Sequence, residues 1–163
     1  MGAPLNVLFL CTHNSARSIL AECLLNHLGA GRFRAFSAGS QPSGRVNPFA
    51  LQALTEAGVD TTGVRSKSWD SFAEPGAPQM DLIITVCDSA AGELCPVWPG
   101  HPATAHWGYA DPSAATGPDA ARLMAFRDTM ALIRRRLEIL VALPAERLYA
   151  LRLEHTARSL ADR

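Results

Sequence analysis

The stretch Val7-Leu8-Phe9-Leu10-Cys11-Thr12-His13-Asn14-Ser15-Ala16-Arg17-Ser18 decides how this chain is read. An apolar run gives way to a polar loop and then to Ile19, Leu20, Leu24, Leu25 and Leu28 at helical spacing. A buried strand, an anion cradle and a helix N-terminus therefore follow one another. Cys11 and Arg17 bracket the loop, and the five residues between them are enough to wrap successive backbone N–H groups around a tetrahedral oxyanion. The guanidinium then closes over the anion as a bidentate fork. A thiol at this place faces the positive end of a helix dipole and a fixed cation, the conditions for a nucleophilic thiolate. A core cysteine near an unrelated arginine gives the same spacing by chance, but the strand before the loop and the helix after it favour the catalytic reading.

The whole chain has 163 residues, the length of one ordinary domain with a sizeable core. Its 15 basic and 15 acidic residues cancel, so there is no electrostatic footprint for nucleic acid or for an anionic membrane. A small molecule or a protein is the expected partner. The N-terminus has no positive flank before its short apolar run, and no segment approaches the roughly 18 apolar residues that span a bilayer. A cytoplasmic protein is expected, and in that setting Cys11, Cys23, Cys87 and Cys95 point to redox chemistry, catalysis or metal rather than to structural disulfides.

In chain order, a helix from about Ala16 to Leu28 stops at Gly29 and Gly31, with Cys23 inside it as a small packing residue. Arg32 to Ala38 alternates as a second strand and runs into a glycine- and proline-rich loop. Asn47-Pro48 sets a cap residue before a proline at the first helical position, and Phe49, Leu51, Leu54 and Ala57 carry that helix to Gly58. A short helix around Ser66 to Phe72 precedes breakers at residues 74–78. Asp81 to Cys87 reads as a buried strand, Asp88 to Pro102 as a loop, and Ala103 to Trp107 as a weak last strand. A turn at Gly108 to Pro112 leads to a long helix from about Pro118 to Leu143, whose Arg134 to Arg136 run is read as solvated surface, and Leu148, Leu151 and Leu160 allow one more helix. The alternation predicts an α/β domain with a parallel sheet covered on both faces.

A cysteine nucleophile acting on an oxyanion needs an acid to protonate the departing oxygen. Asp111 is assigned that part, because it sits in a turn after the last strand and Pro112 restrains its backbone. In an open parallel sheet reactive groups gather outside the carboxyl ends of the strands, so Cys11 and Cys87 are expected at one edge. Cys87 and Cys95 are separated by seven residues, which permits a disulfide if the loop folds back. A packed cysteine and an incidental loop cysteine are the plain alternatives. Zinc bound by Cys87, Cys95, His101 and His106 is a further one; the cysteine spacing does not match the short ligand pairs of zinc sites, and no metal is assigned.

Cys11-Thr12-His13-Asn14-Ser15-Ala16-Arg17-Ser18, the strand-end Cys87 with Cys95-Pro96 downstream, and His106-Trp107-Gly108 followed by Asp111-Pro112 resemble the arsenate reductases built on the low-molecular-weight tyrosine phosphatase fold. The three motifs arrive in that family's order across roughly Asn6 to Leu143. The resemblance implies a single-domain four-stranded parallel sheet flanked by helices on both faces over residues 1–143, with 144–163 as a C-terminal helical extension. It implies reduction of arsenate to arsenite without an organic cofactor, with thioredoxin as the expected donor and glutaredoxin or another thiol system as the alternative. By the same resemblance Cys11 attacks arsenate held by the amides of Thr12, His13, Asn14, Ser15, Ala16, Arg17 and Ser18 and by the Arg17 side chain. Asp111 protonates the leaving oxygen, Cys87 attacks Cys11, and Cys95 moves the disulfide outward to Cys87–Cys95.

The chain departs from the family's pattern in carrying His13 where a glycine is common and Ala16 where a second loop cysteine is common. Some members bind potassium through an asparagine, a glutamate, a serine and an aspartate; Asn14, Glu22 and Ser37 match, but the aspartate's place falls near Trp69 and Asp70, and no potassium site is assigned. The rival readings are a tyrosine phosphatase, whose acid usually stands in Asp-Pro-Tyr where Ser113 stands here, and a non-enzymatic oxyanion or redox sensor.

Overall fold

Strand β1 (Leu5–Cys11) is buried along nearly its whole length, as an apolar run with a parallel neighbour on each side must be. Strand β2 (Phe33–Gly39) pairs with it from Leu5↔Phe33 to Cys11↔Gly39. Strand β3 (Leu82–Thr85) pairs on the other side from Val7↔Leu82 to Leu10↔Thr85, and β4 (Ala103–His106) lies beyond β3 and ends at Thr85↔His106. All pairs are parallel and the order is β2-β1-β3-β4. The chain crosses from one side of β1 to the other between β2 and β3, so the order reverses at β1, whose last residue is Cys11. Open α/β sheets bind ligands at such a reversal. This computed structural model describes residues 3–88 and 103–150.

Three helices, α1 (Arg17–Leu28), α2 (Pro48–Glu56) and α3 (Asp119–Val141), join one core with the Val7 and Phe9 side of the sheet. Ile19, Leu20 and Leu24 come from α1, Ala50 and Leu54 from α2, and Phe126, Ile133 and Leu137 from α3. The opposite face carries Leu8, Leu10, Ala38, Met80 and Ile83, covered by Phe36 and by Trp69 and Phe72 of a short 3-10 helix (Trp69–Phe72). The cap expected for α2 is present, since Asn47 Oδ1 accepts from the Phe49 N–H at 2.9 Å with Pro48 next in the chain. Helix α1 is different: Ala16 at its N-cap makes no side-chain cap, and no acidic residue stands in its first turn. The protein leaves the positive end of that helix to something else.

Two expectations are refined. The strand expected over Asp81 to Cys87 is confined to Leu82–Thr85, and the Asp81 carboxylate instead accepts from the Asn6 N–H at 2.9 Å. Arg136, read as solvated, lays its guanidinium 5.1 Å from the Tyr109 ring centroid and 5.9 Å from that of Trp107. Beyond α3, helical backbone resumes over 145–150 and Leu148 is buried in the main core; Leu151 and Leu160 lie outside the described residues. Among the described residues no helix is long and apolar enough to cross a membrane.

Phe126 fixes α3 against α2, with its ring 5.9 Å from that of Phe49 and its side chain 1% exposed. Phe126→Ala is expected to lower unfolding free energy by about 3–5 kcal/mol, measured by urea denaturation.

Candidate active site

The loop from Cys11 to Arg17 is shaped from outside by its carbonyls. The carbonyls of Cys11, Thr12, His13 and Ser15 accept from the N–H groups of Ser40 (3.3 Å), Gln41 (2.9 Å), Ser43 (3.0 Å) and Asn47 (2.9 Å). In a planar trans peptide the N–H points opposite to the C=O. Tethering four carbonyls outward therefore turns the N–H groups of the following residues inward, which makes an anion nest. The Asn14 N–H lies 3.2 Å from the Cys11 sulfur, so the sulfur sits at the floor of that nest.

Asn14 takes the one non-glycine left-handed backbone among the described residues, φ 49°, a conformation asparagine tolerates better than most residues. Its buried side chain is fully engaged. Oδ1 accepts from the Lys67 N–H at 2.9 Å, and Nδ2 donates to Ser18 Oγ at 2.8 Å and Ser37 Oγ at 2.9 Å. Ser18 Oγ, which accepts from Asn14, also lies 2.9 Å from the Cys11 sulfur, and either atom can be the donor in that contact. The sulfur thus accepts from an amide and shares a hydrogen bond with a hydroxyl.

Arg17 is 4% exposed. Its Nη1 donates to the Tyr109 carbonyl at 2.9 Å, and its Nη2 stands 3.8 Å from Asp111 Oδ2. Asp111 caps a 3-10 turn (Pro112–Ala114), and its Oδ1 accepts from both the N–H (2.9 Å) and the hydroxyl (2.7 Å) of Ser113. The second carboxylate oxygen is left turned toward the guanidinium. Cysteine, cation and acid, expected from positions 11, 17 and 111, thus belong to one constellation at the carboxyl end of the sheet.

Cys87 lies two residues past the end of β3, fully buried and disulfide-bonded, while Cys11 and Cys23 are free thiols. Cys95 and His101 lie outside the described residues. His106 places Nδ1 2.7 Å from Thr85 Oγ1. The potassium donor set does not suit this chain, because the Lys67 ammonium already stands 3.7 Å from Glu22 Oε1 and brings its own positive charge there.

Sequence reading missed Gly39, Lys67, the Tyr109 carbonyl and Ser66, whose hydroxyl donates to the His13 carbonyl at 3.2 Å. A Cβ on Gly39 would stand 2.5 Å from the Thr12 carbonyl oxygen and 3.1 Å from the Asn14 backbone nitrogen, so only glycine lets β2 pass beneath the loop. Gly39→Ala is expected to lower stability by about 1–3 kcal/mol. It should also weaken binding of inorganic phosphate roughly tenfold, the equivalent of ~1.4 kcal/mol, in a calorimetric titration.

Cys23 packs in the core as expected, and burial, followed by the negative Glu22, pushes its thiol from 9.0 up to about 12. The folded form keeps its proton where the unfolded chain gives it up. The stabilising effect of Cys23 is therefore complete below pH 9.0 and is lost as pH rises toward about 12. Native Cys23 is expected to resist iodoacetamide at mildly alkaline pH and to react once urea is added, as read by peptide mass spectrometry.

A family model described as low molecular weight phosphotyrosine protein phosphatase matches residues 6–151. An arsenate reductase of Shouchella clausii is 35% identical over 121 residues, 74% of this chain and 84% of the relative. One of Bacillus subtilis is 36% identical over 121 residues, with the same two shares. The crystal structure of an arsenate reductase from Archaeoglobus fulgidus superposes with a TM-score of 0.69 at 30% identity, covering 84% of this chain and 99% of that one.

Proposed function

We propose that this chain, which belongs to the low molecular weight phosphotyrosine protein phosphatase family, reduces arsenate to arsenite through Cys11 and a disulfide relay. The inward N–H groups, the uncapped N-terminus of α1 and the Arg17 guanidinium suit a tetrahedral oxyanion. Both the family's phosphatase reaction and arsenate reduction use such a cradle. What favours reduction is Cys87, because a cysteine in a disulfide just past the strand beside β1 has no part in ester hydrolysis. The arsenate reductase relatives favour the same reading.

In the proposed reaction the Cys11 sulfur attacks arsenic, and Asp111 gives a proton to the departing oxygen, which leaves as water. Asp111 is held for this by Ser113 on one oxygen and faces Arg17 with the other. Cys87, once the donor has reduced its disulfide to the thiol, then attacks the Cys11 sulfur. A Cys11–Cys87 bond forms, the pair from the sulfur–arsenic bond passes to arsenic, and arsenite departs two electrons richer. Cys95 next attacks Cys87, leaving a Cys87–Cys95 disulfide and a reduced Cys11. Thioredoxin is the proposed donor, since it reduces protein disulfides by exchange, and the cytoplasm is the compartment where it does so.

Mass spectrometry of non-reduced protein after one equivalent of arsenate tests the sequence of steps. Wild type should carry Cys87–Cys95, Cys95→Ser should stop at Cys11–Cys87, and Cys11→Ser should form neither linkage and show no turnover. Turnover with glutathione and glutaredoxin while wild type accumulates neither linkage would remove the relay and leave Cys11 alone in its part. Rapid hydrolysis of a phosphotyrosyl peptide, with arsenate reduction undiminished in Cys87→Ser, would return the family's phosphatase reaction.

A further inference from the structure

Behind the cradle an unbroken chain of side chains runs to the nucleophile. The Lys67 ammonium stands 3.7 Å from Glu22 Oε1, the Ser37 hydroxyl donates to Glu22, and Asn14 Nδ2 links Ser37 at 2.9 Å to Ser18 at 2.8 Å. Ser18 in turn meets the Cys11 sulfur at 2.9 Å. The Lys67 and Glu22 side chains are only 12% and 16% exposed. Burial pushes the Glu22 carboxyl up and the Lys67 ammonium down, and each opposes that push on the other. Either charge left alone at this depth would be costly.

The Lys67 backbone is anchored independently of its charge: its N–H holds Asn14 Oδ1 at 2.9 Å and its carbonyl accepts from Gly39 N–H at 3.0 Å. Its ammonium also donates to the Arg65 carbonyl at 3.0 Å. One residue therefore fixes the backbone on which the cradle rests and also brings a cation to the carboxylate behind it. The ammonium thus already supplies the positive charge that a metal ion on the Glu22 carboxylate would bring.

We propose that Lys67 is a positioning residue whose ammonium serves as a built-in monovalent cation for the Glu22–Ser37–Asn14 chain, so that the cradle is held without a bound metal ion. Only the turnover part of its test rests on the arsenate reductase reading; the melting part stands without it. With the cation removed, the Glu22 carboxylate loses the charge that offsets its burial and its hold on the Ser37 hydroxyl weakens, which loosens Asn14 and with it the Asn14 N–H and the Ser18 hydroxyl beside the sulfur.

The test compares thermal melting and arsenate turnover in potassium chloride and in choline chloride of equal ionic strength. Wild type is expected to melt and turn over alike in both salts. Lys67→Arg should stay within about twofold of wild-type turnover, and Lys67→Met should melt lower and turn over about fivefold more slowly in choline. Partial recovery of Lys67→Met in potassium, or of its melting temperature in Glu22→Gln/Lys67→Met, supports the proposal, because the first restores a cation beside Glu22 and the second removes the charge that lacks one. If Lys67→Met does not fold, the double variant decides: folding supports the proposal and failure overturns it. A wild type that melts higher in potassium than in choline overturns it, as does a Lys67→Met equal to wild type in choline. An impairment that neither potassium nor Glu22→Gln relieves means that Lys67 acts by packing alone, and also overturns it.

Discussion

The hydrogen bonds of Asn14 hold the left-handed turn on which the site depends. A non-glycine residue at φ 49° sits in a sparsely populated region and persists only where its surroundings over-determine it. Here they do, since the buried amide of Asn14 is bonded at Oδ1 and twice at Nδ2, and its N–H faces the Cys11 sulfur. These bonds reach residues 3, 4, 23 and 53 positions away. The turn is therefore a product of the completed fold, and the geometry around the Cys11 sulfur is coupled to β2 and to the segment carrying Lys67.

Arg17 performs a parallel service on the other rim. A guanidinium this buried needs partners, and the Tyr109 carbonyl and the Asp111 carboxylate supply them. The Tyr109 ring is stacked in turn by Arg136 of α3. Asp111 is thus located by Arg17 of the Cys11 loop on one side and, through Tyr109, by the long C-terminal helix on the other, although no residue of α3 belongs to the cradle itself.

What could be read in the sequence was local. The run ending at Cys11, the cap and proline at Asn47-Pro48, and the Asp111-Pro112 turn each carry their signal within a few residues, and each forms the structure that signal predicts. Asp81 was placed in a strand because an apolar run follows it, whereas its carboxylate meets the Asn6 N–H 75 positions away. Gly39 looked like an ordinary loop glycine, because the carbonyl that forbids a Cβ there belongs to Thr12. Lys67 carried no signal at all, since its partners Glu22, Asn14 and Gly39 are brought to it only by the sheet. Contacts across long separations arise from topology, and periodicity does not encode them.

The four tethered loop carbonyls also determine when the work of ordering the cradle is done. A loop whose peptide planes were free to turn would have to be organised by the incoming anion, and that entropy would be subtracted from its affinity. Here Ser40, Gln41, Ser43 and Asn47 hold those planes through bonds internal to the fold. The conformational cost falls on folding, and an oxyanion meets peptide planes that are already held. Recognition at this loop is therefore closer to filling a mould than to closing a hand.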